Sequence, residues 1–206
     1  MGPTTGRDPV TRSPRSYEPL TDSNLQRLRD LALERHRELA HDRPDWCSEL
    51  LAACLVQGAA RHRVHGDRGI KDIDVYLLYP LPAGRRANAF PYARGTTQRD
   101  FGPSEHGQEL YVGPDYESPS VAKRVARWQK FAGRRVDLLA RVIPPHPDGP
   151  AAAVRTWIAD GAHKRGSTPW HLARCPIVAL WPGLGDLWWE GPVEDVAGIE
   201  KGAYDR

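Results

Sequence analysis

The stretch GIKDIDVYLLY, Gly69 to Tyr79, opens with two carboxylates one residue apart and continues as an apolar run of β-branched and aromatic side chains. Such a composition, closed by Pro80, predicts a strand. Alternate side chains of a strand share a face, so Asp72 and Asp74 point one way while Ile73 and Val75 point into the core. Two like charges at that spacing repel each other unless something positive lies between them.

A third acid repeats the context. Asp137 lies inside RRVDLLARVI, Arg134 to Ile143, a second apolar strand signal that follows basic residues. If the two strands are neighbours, three carboxylates converge. A divalent ion such as Mg²⁺ or Mn²⁺ favours oxygen ligands and brings bound phosphates into its shell, so it would resolve the repulsion directly. Upstream, the apolar run WCSELLAACLVQG, Trp46 to Gly58, fits a buried helix, a buried strand or a helix turning into a strand. Its end, ACLVQG, suits a short strand closed by Gly58. The connector that follows, RHRVHGDRGIK, carries Arg61, Arg63, Arg68 and Lys71 just ahead of the acidic pair.

In order and spacing, Gly58-Ala59, then Asp72-Ile73-Asp74-Val75, then Val136-Asp137-Leu138 resembles the polymerase β-like nucleotidyltransferase superfamily. The likeness covers roughly residues 50 to 142. It implies an α/β (α+β) fold, a mixed sheet with helices packed on it. It also implies that Asp72, Asp74 and Asp137 are the catalytic and metal-holding residues. Asp72 and Asp74 would hold Mg²⁺ or Mn²⁺ on a nucleoside triphosphate, and Asp137 would complete the second metal site or take the proton of the attacking hydroxyl. Gly58, Ala59, Arg63 and Lys71 would meet the phosphates. Where the family commonly has Gly-Ser or Gly-Gly at the turn, this chain has Gly58-Ala59, which removes a hydroxyl. Backbone N–H groups at the start of a following helix can still bind phosphate. The implied reaction is in-line attack of an acceptor oxygen on the α-phosphate of ATP or another NTP, with pyrophosphate leaving.

The rest of the chain supplies the setting. At 206 residues it suits one domain, or a small core with appendages. Residues 1–22 mix Pro, Gly, Ser, Thr and Arg with little apolar periodicity and read as a flexible tail without the apolar segment of a secretory leader. A core over residues 23–145, with a loop-rich insertion at about 80–118, would be followed by a Trp-rich helix and strand extension over 146–206. Ser23 to about His41 reads as the first helix, with Leu25, Leu28, Ala32 and Leu39 on one face and a capping box of Ser23 and Gln26. A helix over Ser118 to Ala132 carries Lys123, Arg127, Lys130 and Arg134 at helical spacing, a basic stripe suited to the backbone of an RNA or tRNA acceptor. A further helix over about Ala151 to Lys164 leads to two short strands, PIVALWPG and GDLWWEG. Five of the seven Trp residues fall in this last part and read as a packed layer.

No run is long and uncharged enough to span a membrane. Three cysteines without CxxC spacing argue against a disulfide framework or a zinc knot, so a cytoplasmic setting is expected. A net charge of +3 does not by itself indicate a nucleic-acid binder. His62 and His65 read as surface residues, and His171 with Cys175 lacks partners for a tetrahedral metal site. Other readings stay open: a small-molecule (antibiotic) or protein hydroxyl as acceptor, a toxin-type role by resemblance, an inactive nucleotide-binding or regulatory module, or an RNA-binding protein with surface acids.

Overall fold

Strict period-two burial organises the sheet. In β2 (Ile73–Pro80), Ile73, Val75, Leu77 and Tyr79 enter one core cluster, while Tyr76 and Leu78 enter another on the opposite face. In β1 (Ala52–Val56), Ala53 and Leu55 divide from Ala52, Cys54 and Val56 in the same way. Both strands are therefore buried on two faces, which is why their sequences read as continuous apolar runs. The computed structural model describes residues 19–66, 70, 73–102 and 135–191.

Among these residues the order of elements begins with α1 (Asp22–Asp42), α2 (Pro44–Cys47), β1, α3 (Gln57–His65) and β2. It continues with β3 (Thr96–Asp100), β4 (Arg135–Ile143), α4 (Pro150–Gly161), α5 (Thr168–Leu172), β5 (Ile177–Trp181) and β6 (Leu187–Trp189). Six strands form one mixed sheet in the order β3-β4-β2-β1-β5-β6. Only β2 and β4 run parallel, and the other four neighbouring pairs are antiparallel. This is an α+β architecture with a helical layer on each face: α1 and α2 pack on the Leu55–Leu77 side, α4 and α5 on the Cys54–Tyr76 side.

The first helix is capped two residues earlier than Ser23 and Gln26 predict. Thr21 is the N-cap: its hydroxyl accepts from Asn24 N–H at 3.3 Å, and Asn24 Oδ1 accepts from Thr21 N–H at 2.8 Å. A short polar side chain at the third helical position closes the box as well as a Glu or Gln would. Leu25, Leu28, Ala32 and Leu39 are all buried, as the helical spacing requires.

Gly58 does not close a strand. The strand ends at Val56, and Gly58 lies in the first turn of α3. His62, expected at the surface, is buried at 4 % exposure, because it falls on the same side of α3 as Ala59, one turn earlier. His65 is exposed as expected.

The loop-rich segment after Pro80 contains β3, a strand its polar sequence TTQRD does not announce. It lies at the edge of the sheet against β4, where charged side chains are tolerated and discourage pairing with other chains. Arg99 of β3 and Arg35 of α1 both donate to Glu38, tying that edge to α1. Burial pushes the Glu38 carboxyl up, but the hydrogen bonds from Arg35 and Arg99 outweigh it and hold the group below its ordinary value.

The helix expected over Ser118 to Ala132, with Lys123, Arg127, Lys130 and Arg134, lies outside the described residues. The last part of the chain joins the same sheet, β5 pairing with β1. Its tryptophans form less of an inner layer than expected. Trp188 is buried, whereas Trp157, Trp170, Trp181 and Trp189 are half-buried. Two of them carry guanidinium groups over their rings, Arg29 on Trp181 and Arg174 on Trp170. A cation held on the ring face leaves one side of each indole near water.

All three cysteines are free thiols. Burial pushes Cys47 up to about 11 and Cys54 higher still, so neither is a thiolate nucleophile at neutral pH. Among the described residues no helix is long and apolar enough to cross a membrane.

Candidate functional site: a carboxylate pair at one end of the sheet

Strand register decides which acids meet. Parallel pairing of β2 and β4 sets Asp74 directly opposite Asp137, with Ile73 opposite Val136 and Val75 opposite Leu138. The same level continues across the sheet to Val56 of β1 and Gln98 of β3. Residues opposite each other on neighbouring strands share a face, and adjacent strands lie about 5 Å apart. Asp74 and Asp137, sixty-odd positions apart in the chain, are thus neighbours on the face that carries Tyr76 and Leu78. Asp72 and Lys71, the other members expected just before β2, lie outside the described residues, as does Arg68.

Like charges facing each other across a sheet destabilise it. One compensation is visible: Arg135, two residues before Asp137 and on the same face, donates from Nη2 to Asp137 Oδ2 at 2.7 Å. Both side chains are largely withdrawn from water, with 13 % and 11 % exposure. The pair is buried, so it orients the carboxylate far more firmly than a surface pair would. Asp74 is only half-buried. Its charge reaches the next residue on its face: burial raises the Tyr76 phenol above its ordinary value, the Arg141 guanidinium opposes that shift, and the Asp74 carboxylate adds to it. Arg141 itself lies over the Tyr76 ring, 5.4 Å from its centre.

The third component is the start of α3, which follows Val56 and therefore begins at the level of Asp74. Gln57 makes the turn from strand to helix with φ +56°, a left-handed conformation uncommon for a side-chain-bearing residue. Such strain is retained where the surrounding structure over-determines it. No side chain among the described residues caps this end of α3. Gly58 has no positive φ to demand a glycine, and a methyl group built on its α-carbon meets nothing within 4 Å. The space beside it is open, and the bare backbone leaves the first N–H groups of the helix approachable by an anion. Ala59 differs: its side chain is fully buried in the main core, so only its backbone can face a ligand.

Arg63 is committed elsewhere. Its guanidinium donates to Leu20 O at 2.7 Å and to the Asp22 carboxylate, fastening α3 to the start of α1. Sequence reasoning ranked it by proximity to the acidic pair, but its position in the last turn of α3 turns it toward α1. Arg135 is a site residue that the motif spacing does not point to. Its place two residues before an inward-facing acid is the signal that puts it on the site's face.

The donor set is oxygen-only on the described side, which suits a hard divalent cation and not a soft one. No protein-family model, curated protein or solved structure matches this chain.

Proposed function

We propose that this protein is a metal-dependent nucleotidyltransferase of the polymerase β-like type, moving a nucleoside monophosphate from an NTP to an acceptor hydroxyl. The observation that carries the reading is the register of β2 and β4, which sets Asp74 beside Asp137 at the end of the sheet where α3 begins. Support comes from three independent features: paired carboxylates on one face, an uncapped helix start with an open glycine, and their common level.

In this reading Asp74 and Asp137, with Asp72, hold Mg²⁺ or Mn²⁺. The bound ion supplies charge neutralisation on the triphosphate and on the departing pyrophosphate. The chain does the rest. Backbone N–H groups of Gly58 and Ala59 bind phosphate oxygens at the start of α3, and Lys71 is a further phosphate-binding residue by the resemblance alone. Arg135 keeps the Asp137 carboxylate in one orientation, in which it would either complete the ion's oxygen ligands or accept the proton of the attacking hydroxyl. A new bond forms between the acceptor oxygen and the α-phosphorus as the bond to pyrophosphate breaks. Alignment of the reactants supplies much of the acceleration. Arg63 is left out of phosphate binding, since its contacts are with Leu20 and Asp22.

The acceptor suggested by the basic sequence over Lys123, Arg127, Lys130 and Arg134 is RNA, including a tRNA end. A small-molecule or protein hydroxyl satisfies the same chemistry, and a toxin-type role stands by resemblance alone. One observation favours a second reading. Ala59 is buried and carries no hydroxyl for the terminal phosphate, which suits a module that binds nucleotide without transferring it. Incubation with α-³²P-labelled NTPs, Mg²⁺ and either total RNA or lysate protein separates the two. Label in RNA supports the transferase with an RNA acceptor. Nucleotide bound with no label transferred to any acceptor supports the module.

A stability experiment reads the cation separately from turnover. Arg135→Ala removes a positive charge 2.7 Å from a buried carboxylate and is expected to cost about 3 kcal/mol. If Asp137 is a metal ligand, added Mg²⁺ replaces that charge and raises the melting temperature of the variant more than that of the unaltered protein. Equal Mg²⁺ responses in the two would count against a cation at Asp137.

A further inference from the structure

A second cavity lies at the far end of β4. It encloses about 330 Å³ between α4, the turn that follows β4 and the start of α5. From Asp137 to Pro144 the strand advances seven residues, roughly 20 Å, so this cavity is separate from the carboxylate pair.

Its walls have distinct chemistry. Helical spacing brings Trp157 and Asp160 to one side of α4, and Lys164 joins them from the turn that follows. Pro144, Pro145 and Pro169 supply flat apolar surfaces from the neighbouring segments. The packing that builds the cavity is tight at one point: a side chain on Gly161 would come within 2.5 Å of the Pro169 ring, so only glycine lets α5 approach α4 this closely. Ser167, also on the lining, is already occupied, donating to Gly161 O and accepting from Trp170 N–H. The volume is at the small end for a ligand site, suited to one flat ring with a polar edge.

Acids stand on one part of the mouth, Asp160 on the lining and Asp148 beside His146, and bases on another. From Gly161 to Gly185 the chain contains no acidic residue, while His163, Lys164 and Arg165 are exposed in succession and His171 is exposed beyond them. Phosphate is the group that the basic part recognises, and an indole beside a ring-sized space is the surface on which a nucleobase stacks.

We propose that this cavity takes one nucleotide of a single-stranded RNA, with its base against Trp157 and its phosphate on Lys164 and Arg165. Asp160 accepts a hydrogen bond from the base, favouring bases with an exocyclic amino group over uracil. The proposal extends the acceptor reading of the preceding section. It gives the RNA a hold about 20 Å from the carboxylates, a distance spanned by a few nucleotides. Binding can be read without transfer, so the two readings can fail separately.

Fluorescence anisotropy of a labelled single-stranded RNA, with the full chain in EDTA and without NTP, tests it. Lys164→Glu with Arg165→Glu changes two exposed side chains and should leave the melting temperature in place. It is expected to weaken binding at least about tenfold and to lower the slope of log K against log salt by roughly 0.7, the value for one neutralised phosphate on a single strand. Trp157→Leu should weaken binding by a further factor of about ten through lost stacking. Asp160→Asn should erase a preference for oligo-A over oligo-U. Unchanged RNA affinity in the double charge reversal, or no RNA binding by the unaltered protein, overturns the proposal. AMP that displaces the RNA at concentrations comparable to the oligonucleotide's own assigns the cavity to a free nucleotide and overturns RNA as its source.

Discussion

Asp137→Asn and Asp74→Asn are each expected to lower nucleotidyl transfer by about 10³-fold, the scale on which removing one preorganised charge from a polar active site acts. The two variants differ in what else they change. Asp137 is buried and accepts from Arg135 at 2.7 Å, so its neutralisation strips a buried guanidinium of its counter-charge and should lower stability as well. Asp74 is half-buried and faces a like charge, so its neutralisation relieves that repulsion and should lower stability less than Asp137→Asn does. Transfer measured with labelled NTP, alongside thermal melts of both proteins, checks the pair. Transfer surviving in either variant at more than about a tenth of the original rate would remove that carboxylate from the chemistry.

Leu77→Ala should cost about 3 kcal/mol, because the side chain is fully buried at the centre of β2 and its loss leaves a cavity that a strand held on both sides cannot close. For a chain of this length that corresponds to a fall in melting temperature of roughly 6–12 °C. Leu187, at 42 % exposure on the edge strand β6, is the control: its change to Ala should stay within about 0.5 kcal/mol. A melting temperature unmoved by Leu77→Ala would mean that β2 is not the centre of the sheet. That outcome would also dissolve the register on which the carboxylate pair depends.

Several elements were legible from residue pattern alone because their cause is local. An apolar run of β-branched and aromatic residues closed by Pro80 marks β2, and a lone acid inside apolar residues marks β4. Leucines at helical spacing mark α1, and Pro and Gly bracket β5. The capping residue of α1 was misplaced because Asn24 substitutes for the expected longer side chain. The edge strand β3 was missed because TTQRD has no apolar period. It becomes a strand only through its hydrogen bonds to β4, an interaction with residues some forty positions away. His62 was assigned to the surface because a single histidine gives no hint of which side of a short helix will face the core.

The candidate site divides along the same line. Sequence by itself determined that Asp74 and Asp137 sit in apolar strands and that a glycine follows the first strand, since each depends on neighbours within a few residues. Only the tertiary structure decided that Asp74 lies opposite Asp137 and not one residue out of step, a slip that would put the two acids on opposite faces. It also decided that Arg135 holds Asp137, that Arg63 faces α1, and that Ala59 turns inward. Register and facing are settled by which pairing buries the most apolar surface on both sides of the sheet at once, a sum over the whole chain that no single stretch contains.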